Sequence, residues 1–366
     1  MVSPPGIRQT LARMGSIWQI RGKQTSKEPA MRLLTRRTVA AGVLSLPTIR
    51  RVRADAPIRL RCSLDTAPTH GRNISIGDYL GKVEAASNGR LKTEIFASGQ
   101  LFADLNVTKA LVQGQVDMAA PGTWAITNFV PDSDLFQLPA LYDQPVEMIH
   151  RVTDGRSGAM IANEVEQKLR SHVLGSWIDN GFSNWFTTRT PLNSLTDLKG
   201  LKIRNSGGSG QSWRTRFFDA VPNVTAWPDV PLALSQGTFD GLITTNESIV
   251  SVKLWEAGVR YGLQDHNSFA AYIPMVSHGF WSALPADLQT IMTDLWAENI
   301  GRYRTNMAAA QDRARGTMES HGVKSTDVTP AQATEVRNRM LKDQEAVAKE
   351  MRVSPEIQKL LAQDVV

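Results

Sequence analysis

Along the chain, the spacing of apolar positions switches repeatedly between a period of two and a period near 3.6, which predicts strands alternating with helices. From Pro57 to Leu64 apolar and polar side chains alternate as in a half-exposed strand, and a turn-rich stretch to Gly71 follows. A helix is expected over 74–86, closed by Asn88-Gly89, and Leu91 to Ala97 alternate again until Ser98-Gly99 turns the chain. This β-α-β unit is followed by a similar one. Asp104 is expected to cap a helix through Leu111, Gly114 ends it, and Val116 to Ala120 reads as a short buried strand. The chain is therefore expected to be α/β, with right-handed crossovers.

Further on, His172 to Thr188 is rich in β-formers, with Gly175 and Gly181 as breaks, and Ser194 with Asp197 opens a turn into a strand ending at Arg204. Gly207-Gly208-Ser209-Gly210 then precedes a helix to about Asp219, a short strand near Val224, and a helix from Pro228 to Gln236. Phe239-Asp240-Gly241-Leu242 begins another strand. From Pro285 to His321 proline is absent and Leu288, Ile291, Met292, Leu295, Ile300 and Met307 recur at helical spacing. A single helix of about 36 residues would be roughly 54 Å long, more than one domain's diameter, and is expected to brace two lobes.

Composition supports a large buried core: the chain has 366 residues, 42% of them hydrophobic and 21% charged. The formal net charge of +6 invites a nucleic-acid reading until its placement is considered. Residues 1–54 hold eleven Lys or Arg against the single acid Glu28, a charge of +10 that leaves −4 for the rest. A mildly acidic body lacks the positive face that phosphate-backbone binding requires, so no nucleic-acid partner is expected.

The basic segment has the order of an export signal: Thr35-Arg36-Arg37-Thr38, an apolar run from Val39 to Ile49, then small residues near Ala54. It resembles a twin-arginine signal, with Met31 the expected start, and implies an exported, periplasmic protein. The run is broken by Pro47 and falls short of the roughly 20 residues a membrane span needs.

Local catalytic signatures are missing. The six histidines show no HExxH or other metal spacing, and no serine sits in GxSxG. Cys62 stands alone, so neither an intrachain disulfide nor a cysteine metal cluster can form, and it is expected as a buried strand residue. Neither a metal nor a cofactor is expected. Gly207 to Gly210 before a helix could cradle an anion but lacks the Lys-Ser/Thr ending of a P-loop. Arg204 ends a strand just ahead of that helix start, where open α/β sheets bind ligands, and a guanidinium fits a carboxylate bidentately. From position alone, a surface arginine is an equal alternative.

Ser194-Leu-Thr-Asp-Leu-Lys-Gly-Leu-Lys-Ile-Arg204 resembles the segment that marks solute-binding proteins of tripartite ATP-independent periplasmic (TRAP) transporters. Ser87-Asn-Gly-Arg-Leu91, Ser98-Gly-Gln-Leu101, Gly114-Gln-Val-Asp-Met118, Leu138-Pro139, Trp227-Pro-Asp-Val-Pro-Leu-Ala-Leu-Ser-Gln-Gly237 and Phe239-Asp-Gly241 agree in order and spacing, over about residues 57–350. The resemblance implies a two-lobed periplasmic-binding-protein-like fold, type II-like, with a long helix spanning both lobes. It also implies a small organic acid as ligand and membrane permease subunits as partners. Lobe boundaries are expected at 55–180 plus about 270–305 for the first lobe and about 181–269 plus 306–366 for the second.

The family's carboxylate-gripping arginine falls on Arg204. By position, Trp227 would pack on the ligand's apolar part, and either Thr244 or Asn246 would hydrogen-bond it. Trp124 and Asp65 fall where relatives place cleft residues, with core packing and helix capping as their alternatives. The chain departs at Asn180-Gly-Phe-Ser-Asn-Trp185, where many relatives carry a second arginine and this one has Ser183. A monocarboxylate or hydroxylated acid is the expected ligand, with Trp185 or Asn184 lining the cleft beside Ser183. The reading is a binding protein, not an enzyme. An exported enzyme acting on an organic acid and a ligand-sensing module are the alternatives.

Overall fold

The computed structural model describes residues 56–364; the arginine pair and the rest of the leader lie outside the described residues. Eleven strands occur in this span: β1 (Ile58–Ser63), β2 (Leu91–Phe96), β3 (Met118–Ala119), β4 (Ser171–Val173), β5 (Ile178–Thr187), β6 (Lys202–Asn205), β7 (Val221–Val224), β8 (Gly241–Thr244), β9 (Tyr261–Tyr272), β10 (Met275–Ser277) and β11 (Lys324–Asp327). They form two sheets, ordered β2-β1-β3-β10-β4 and β11-β9-β5-β8-β6-β7.

In the first sheet, alternation in β1 turns Leu60 and Cys62 inward. The helix Gly71–Ala86 returns the chain to β2 and buries Ile76, Tyr79, Leu80 and Val83, the i, i+3, i+4, i+7 stripe of an amphipathic helix. β1 and β2 pair in parallel, Ile58 opposite Leu91 through Ser63 opposite Phe96. This helix begins three residues earlier than its apolar spacing suggests, because His70 caps it by accepting the Arg72 N–H on Nδ1 at 3.1 Å.

Asp104 does not cap the helix Asp104–Val112; it is the first helical residue and its carboxylate is buried for another purpose, described below. The glycine run is no open anion cradle either. The Asp134 carboxylate occupies it, Oδ2 accepting the Gly210 N–H at 2.8 Å at the start of the helix Ser209–Phe217.

Two strands and one helix join the lobes. β5 and β9 are antiparallel partners from Ile178 opposite Tyr272 to Thr187 opposite Tyr261. Ile178 and Tyr272 pack with the first sheet's core, whereas Trp185 and Leu263 lie in the core of the second. The helix Ala286–Ser320 runs 35 residues, close to the length expected, burying Leu288, Met292, Trp296 and Tyr303 in the first lobe's core and Met318 in that of the second.

The chain's last stretch differs from its expected assignment. The helix Pro330–Leu341 packs Ala333, Val336 and Met340 on the second lobe. Of residues 344–364, expected there too, the helix Pro355–Asp364 instead packs Ile357 and Leu361 with Ile149 and Ile161 of the first, while Gln344–Met351 buries Val347 and Met351 in that core and also lies against Ser209–Phe217 of the second. Their apolar stripe alone carries no information about which lobe receives it.

Candidate functional site: a cleft between the two lobes

The cleft lies where the ends of β1, β3 and the helix Asp104–Val112 face β5, β6, β8 and the turn at Trp227. It is narrow and partly open to solvent. Of the residues singled out in the sequence, Asp65, Trp124, Ser183, Arg204, Trp227 and Thr244 line it together.

Arg204 is brought there by the pairing of β6 with β8, Ile203 opposite Gly241 and Arg204 opposite Leu242. Its side chain is only 2% exposed. Nε donates to the Thr225 carbonyl at 2.9 Å and Nη1 to Ser206 Oγ at 3.0 Å. Ser206 is itself held, its N–H donating to Gln211 Oε1 at 2.8 Å. The guanidinium carbon lies 5.4 Å from the centre of the Trp227 ring. No carboxylate among the described residues forms an ion pair with this arginine. Burial pulls its pKa down to about 10, which still leaves a cation at neutral pH. A desolvated, positioned cation with unused N–H groups is a site for an anion.

Opposite stands Arg72, which the sequence reading did not single out. It is fully buried and spends every N–H inside the protein. Nη2 donates to Asp65 Oδ1 at 2.5 Å and to Thr66 Oγ1 at 3.0 Å, while Nη1 donates to Asp104 Oδ2 at 3.0 Å and to the Ala120 carbonyl at 2.9 Å. Nε completes the set on Thr66 Oγ1 at 3.3 Å. Burial opposes its charge, but Asp104, Tyr272 and Asp65 outweigh that and raise its pKa. Asp65 also accepts the Asp104 N–H at 3.2 Å, so it does cap that helix while facing the cleft. Burial pushes Asp104 up to about 7 despite Arg72.

Trp124 packs edge-on against Tyr272, ring centres 5.5 Å apart, and both line the cleft. Asn180, Thr245 and Ser248 complete the polar wall. Behind it, His70 Nε2 lies 2.9 Å from Glu247 Oε2 and 3.2 Å from Ser248 Oγ, and the Gly71 N–H donates to Glu247 Oε1 at 2.9 Å.

Three candidates, Trp185, Asn246 and Asn184, face elsewhere. Trp185 is fully buried in the second lobe and donates its indole N–H to Asp265 Oδ2 at 2.8 Å. It shares strand parity with Ser183, but a register irregularity between them breaks the alternation. Asn246 starts a new helix after β8 has ended at Thr244, and with Asn184 it lines a separate cavity against the long helix. Asn184 Oδ1 is engaged by the N–H groups of Asp265 and His266, both at 3.1 Å. The missed residues Arg72 and Asp104 had one sequence signal each: a charged residue on the apolar stripe of its helix, and an acid in a first helical turn.

A two-lobed arrangement of sheets, with crossing strands and one polar cleft, defines the periplasmic-binding class of fold. Residues 76–350 match the family model described as bacterial extracellular solute-binding protein, family 7, and the chain belongs to that family. It is 30% identical to the C4-dicarboxylate-binding periplasmic protein DctP of Rhodobacter capsulatus, over 79% of this chain and 88% of that one. Identity to the 2,3-diketo-L-gulonate-binding periplasmic protein YiaO of Escherichia coli is 23%, over 78% and 87%. Among solved structures it is similar to the sugar acid binding protein of Advenella mimigardefordensis in complex with galactonate, with a TM-score of 0.79, 19% identity, and 84% and 98% of the two chains covered. A TRAP periplasmic solute binding protein of Sulfurospirillum deleyianum with bound succinate matches at a TM-score of 0.76, 21% identity, and 83% and 98% coverage.

Proposed function

We propose that this protein captures a small organic acid outside the cytoplasm and hands it to the membrane permease subunits of a TRAP transporter. The observation that carries the reading is Arg204, a buried cation in the cleft whose hydrogen bonds leave Nη2 without a partner among the described residues. The ligands of the similar proteins, C4-dicarboxylate, galactonate and succinate, are all carboxylates. Trp227, Trp124, Thr244, Ser183 and Asp65 take the remaining contacts. Residues from both lobes line the cleft, so a bound acid favours the closed arrangement by touching both walls.

Export by the twin-arginine route and residence in the periplasm rest on Arg36-Arg37 and on the family's extracellular character. No helix among the described residues is long and apolar enough to cross a membrane, and none of them group to hold a metal. The bound acid is delivered unchanged.

Thermal shift of the purified protein against mono-, di-, keto- and hydroxy-acids tests this, since a ligand that binds only the folded state raises Tm. At least one acid should raise it and be recovered chemically intact; a flat response, or turnover of the acid, sinks the reading.

A further inference from the structure

We infer that the cleft selects a monocarboxylate carrying hydroxyl groups, and that Asp65 and Asp104, held in place by Arg72, are the elements that turn a dicarboxylate away. The inference rests on the reading of the cleft as an organic-acid site.

A guanidinium has five N–H donors. All five of Arg72 are taken by Thr66, Asp65, Asp104 and the Ala120 carbonyl. Arg72 therefore offers no second carboxylate a hydrogen bond. Arg204 spends only Nε and Nη1 on the protein and can receive one carboxylate. Ser183 occupies the neighbouring wall and brings a hydroxyl, not a charge.

The opposite wall is rich in acceptors. Asp65 and Asp104 both line the cleft, and their formal charges balance those of Arg72 and Arg204 before any ligand enters. Asp104 uses Oδ2 for Arg72 and for the Gly122 N–H at 3.1 Å, and Oδ1 accepts no bond from the described residues. On β5, across from these acids, Asn180 Oδ1 is also buried without a partner among the described residues. A ligand hydroxyl reaching these groups finds acceptors that lack a donor, whereas a second carboxylate finds like charge in a low-dielectric site. Discrimination of this kind comes from the repulsive group as much as from the attractive one.

Matched ligands separate the terms. Calorimetric titration of the purified protein at pH 7.5 would use erythronate, succinate, butyrate and erythritol, with gluconate, adipate, hexanoate and sorbitol as the six-carbon set. In whichever set binds, the hydroxylated monoacid should bind at least tenfold tighter than the dicarboxylate and the plain monoacid, and the uncharged polyol should not bind. Asp104→Asn should then improve the dicarboxylate relative to the hydroxy acid about tenfold; Asp65→Asn serves if that variant does not fold. A dicarboxylate binding as tightly as its hydroxylated counterpart overturns this inference and leaves the organic-acid reading standing. Failure of every acid in both sets overturns the two together.

Discussion

The guanidinium of Arg204 sits 5.4 Å from the ring centre of Trp227, so that one residue supplies the cleft's available positive charge and the other an aromatic face beside it. Removing the charge tests the first role. Arg204→Ala should cost about 2 to 5 kcal/mol of ligand affinity, the range for truncating one partner of a desolvated charge pair. Because the ligand-free protein holds this cation buried and unpaired, its Tm should not fall by a comparable amount. Arg204→Lys should restore little, since an ammonium cannot reproduce the planar fork. Calorimetry for binding and a thermal melt without ligand check both halves; unchanged affinity in Arg204→Ala refutes the anchor.

Trp227 contributes both packing and cation–π attraction. Trp227→Phe should lose part of the affinity and Trp227→Ala more, with the aromatic–cation share about 0.5 to 2 kcal/mol. Equal affinities for all three proteins would show that the ring is only a wall.

Trp185 should behave in the opposite way. Trp185→Phe removes the indole N–H that satisfies the buried Asp265 carboxylate, a loss of about 1 to 3 kcal/mol of folding stability. Ligand affinity, measured on the folded fraction, should be unchanged. A large affinity loss at full stability would place this side chain in the cleft.

Asp134 gives a pH test. Burial pushes its pKa up to about 6, against the pull of the Gly210 N–H and Arg214, while in the unfolded chain an aspartate titrates near 3.9. The folded protein therefore binds the extra proton between about pH 4 and 6, and the stability this group contributes is present below about pH 4 and lost as pH rises through 6. The Tm difference between the native protein and Asp134→Asn should move in the variant's favour across that window. A difference that stays constant from pH 4 to 7 sinks the prediction.

Much of the fold was legible because its signals are local and periodic. The stripe Ile76, Tyr79, Leu80, Val83 and the uninterrupted run behind Pro285 each announce one helix regardless of the rest of the chain. The strand end at Arg204 was legible as a local event, but its place in the cleft was singled out only by the family resemblance. The errors arose where geometry departs from parity. Ser183 and Trp185 should share a face, yet the irregular register between them sends one into the cleft and the other into the core. Thr244 and Asn246 differ because a strand stops between them. Arg72 meets Asp104 across 32 positions, and no periodicity within either helix reports a contact made only by the finished sheet.

The burial of Val347, Met351, Ile357 and Leu361 among Val107, Leu111, Ile149 and Ile161 has a consequence for the order of folding. The first sheet also waits for β10 at Met275–Ser277 to bridge β3 and β4. The first lobe can therefore not be finished until the ribosome has passed through the second. Contacts of such long sequence separation slow folding and keep apolar surface exposed until late. The final helix acts as the closing stitch, and a chain lacking Pro355–Asp364 should fail first at the end of the molecule where synthesis began.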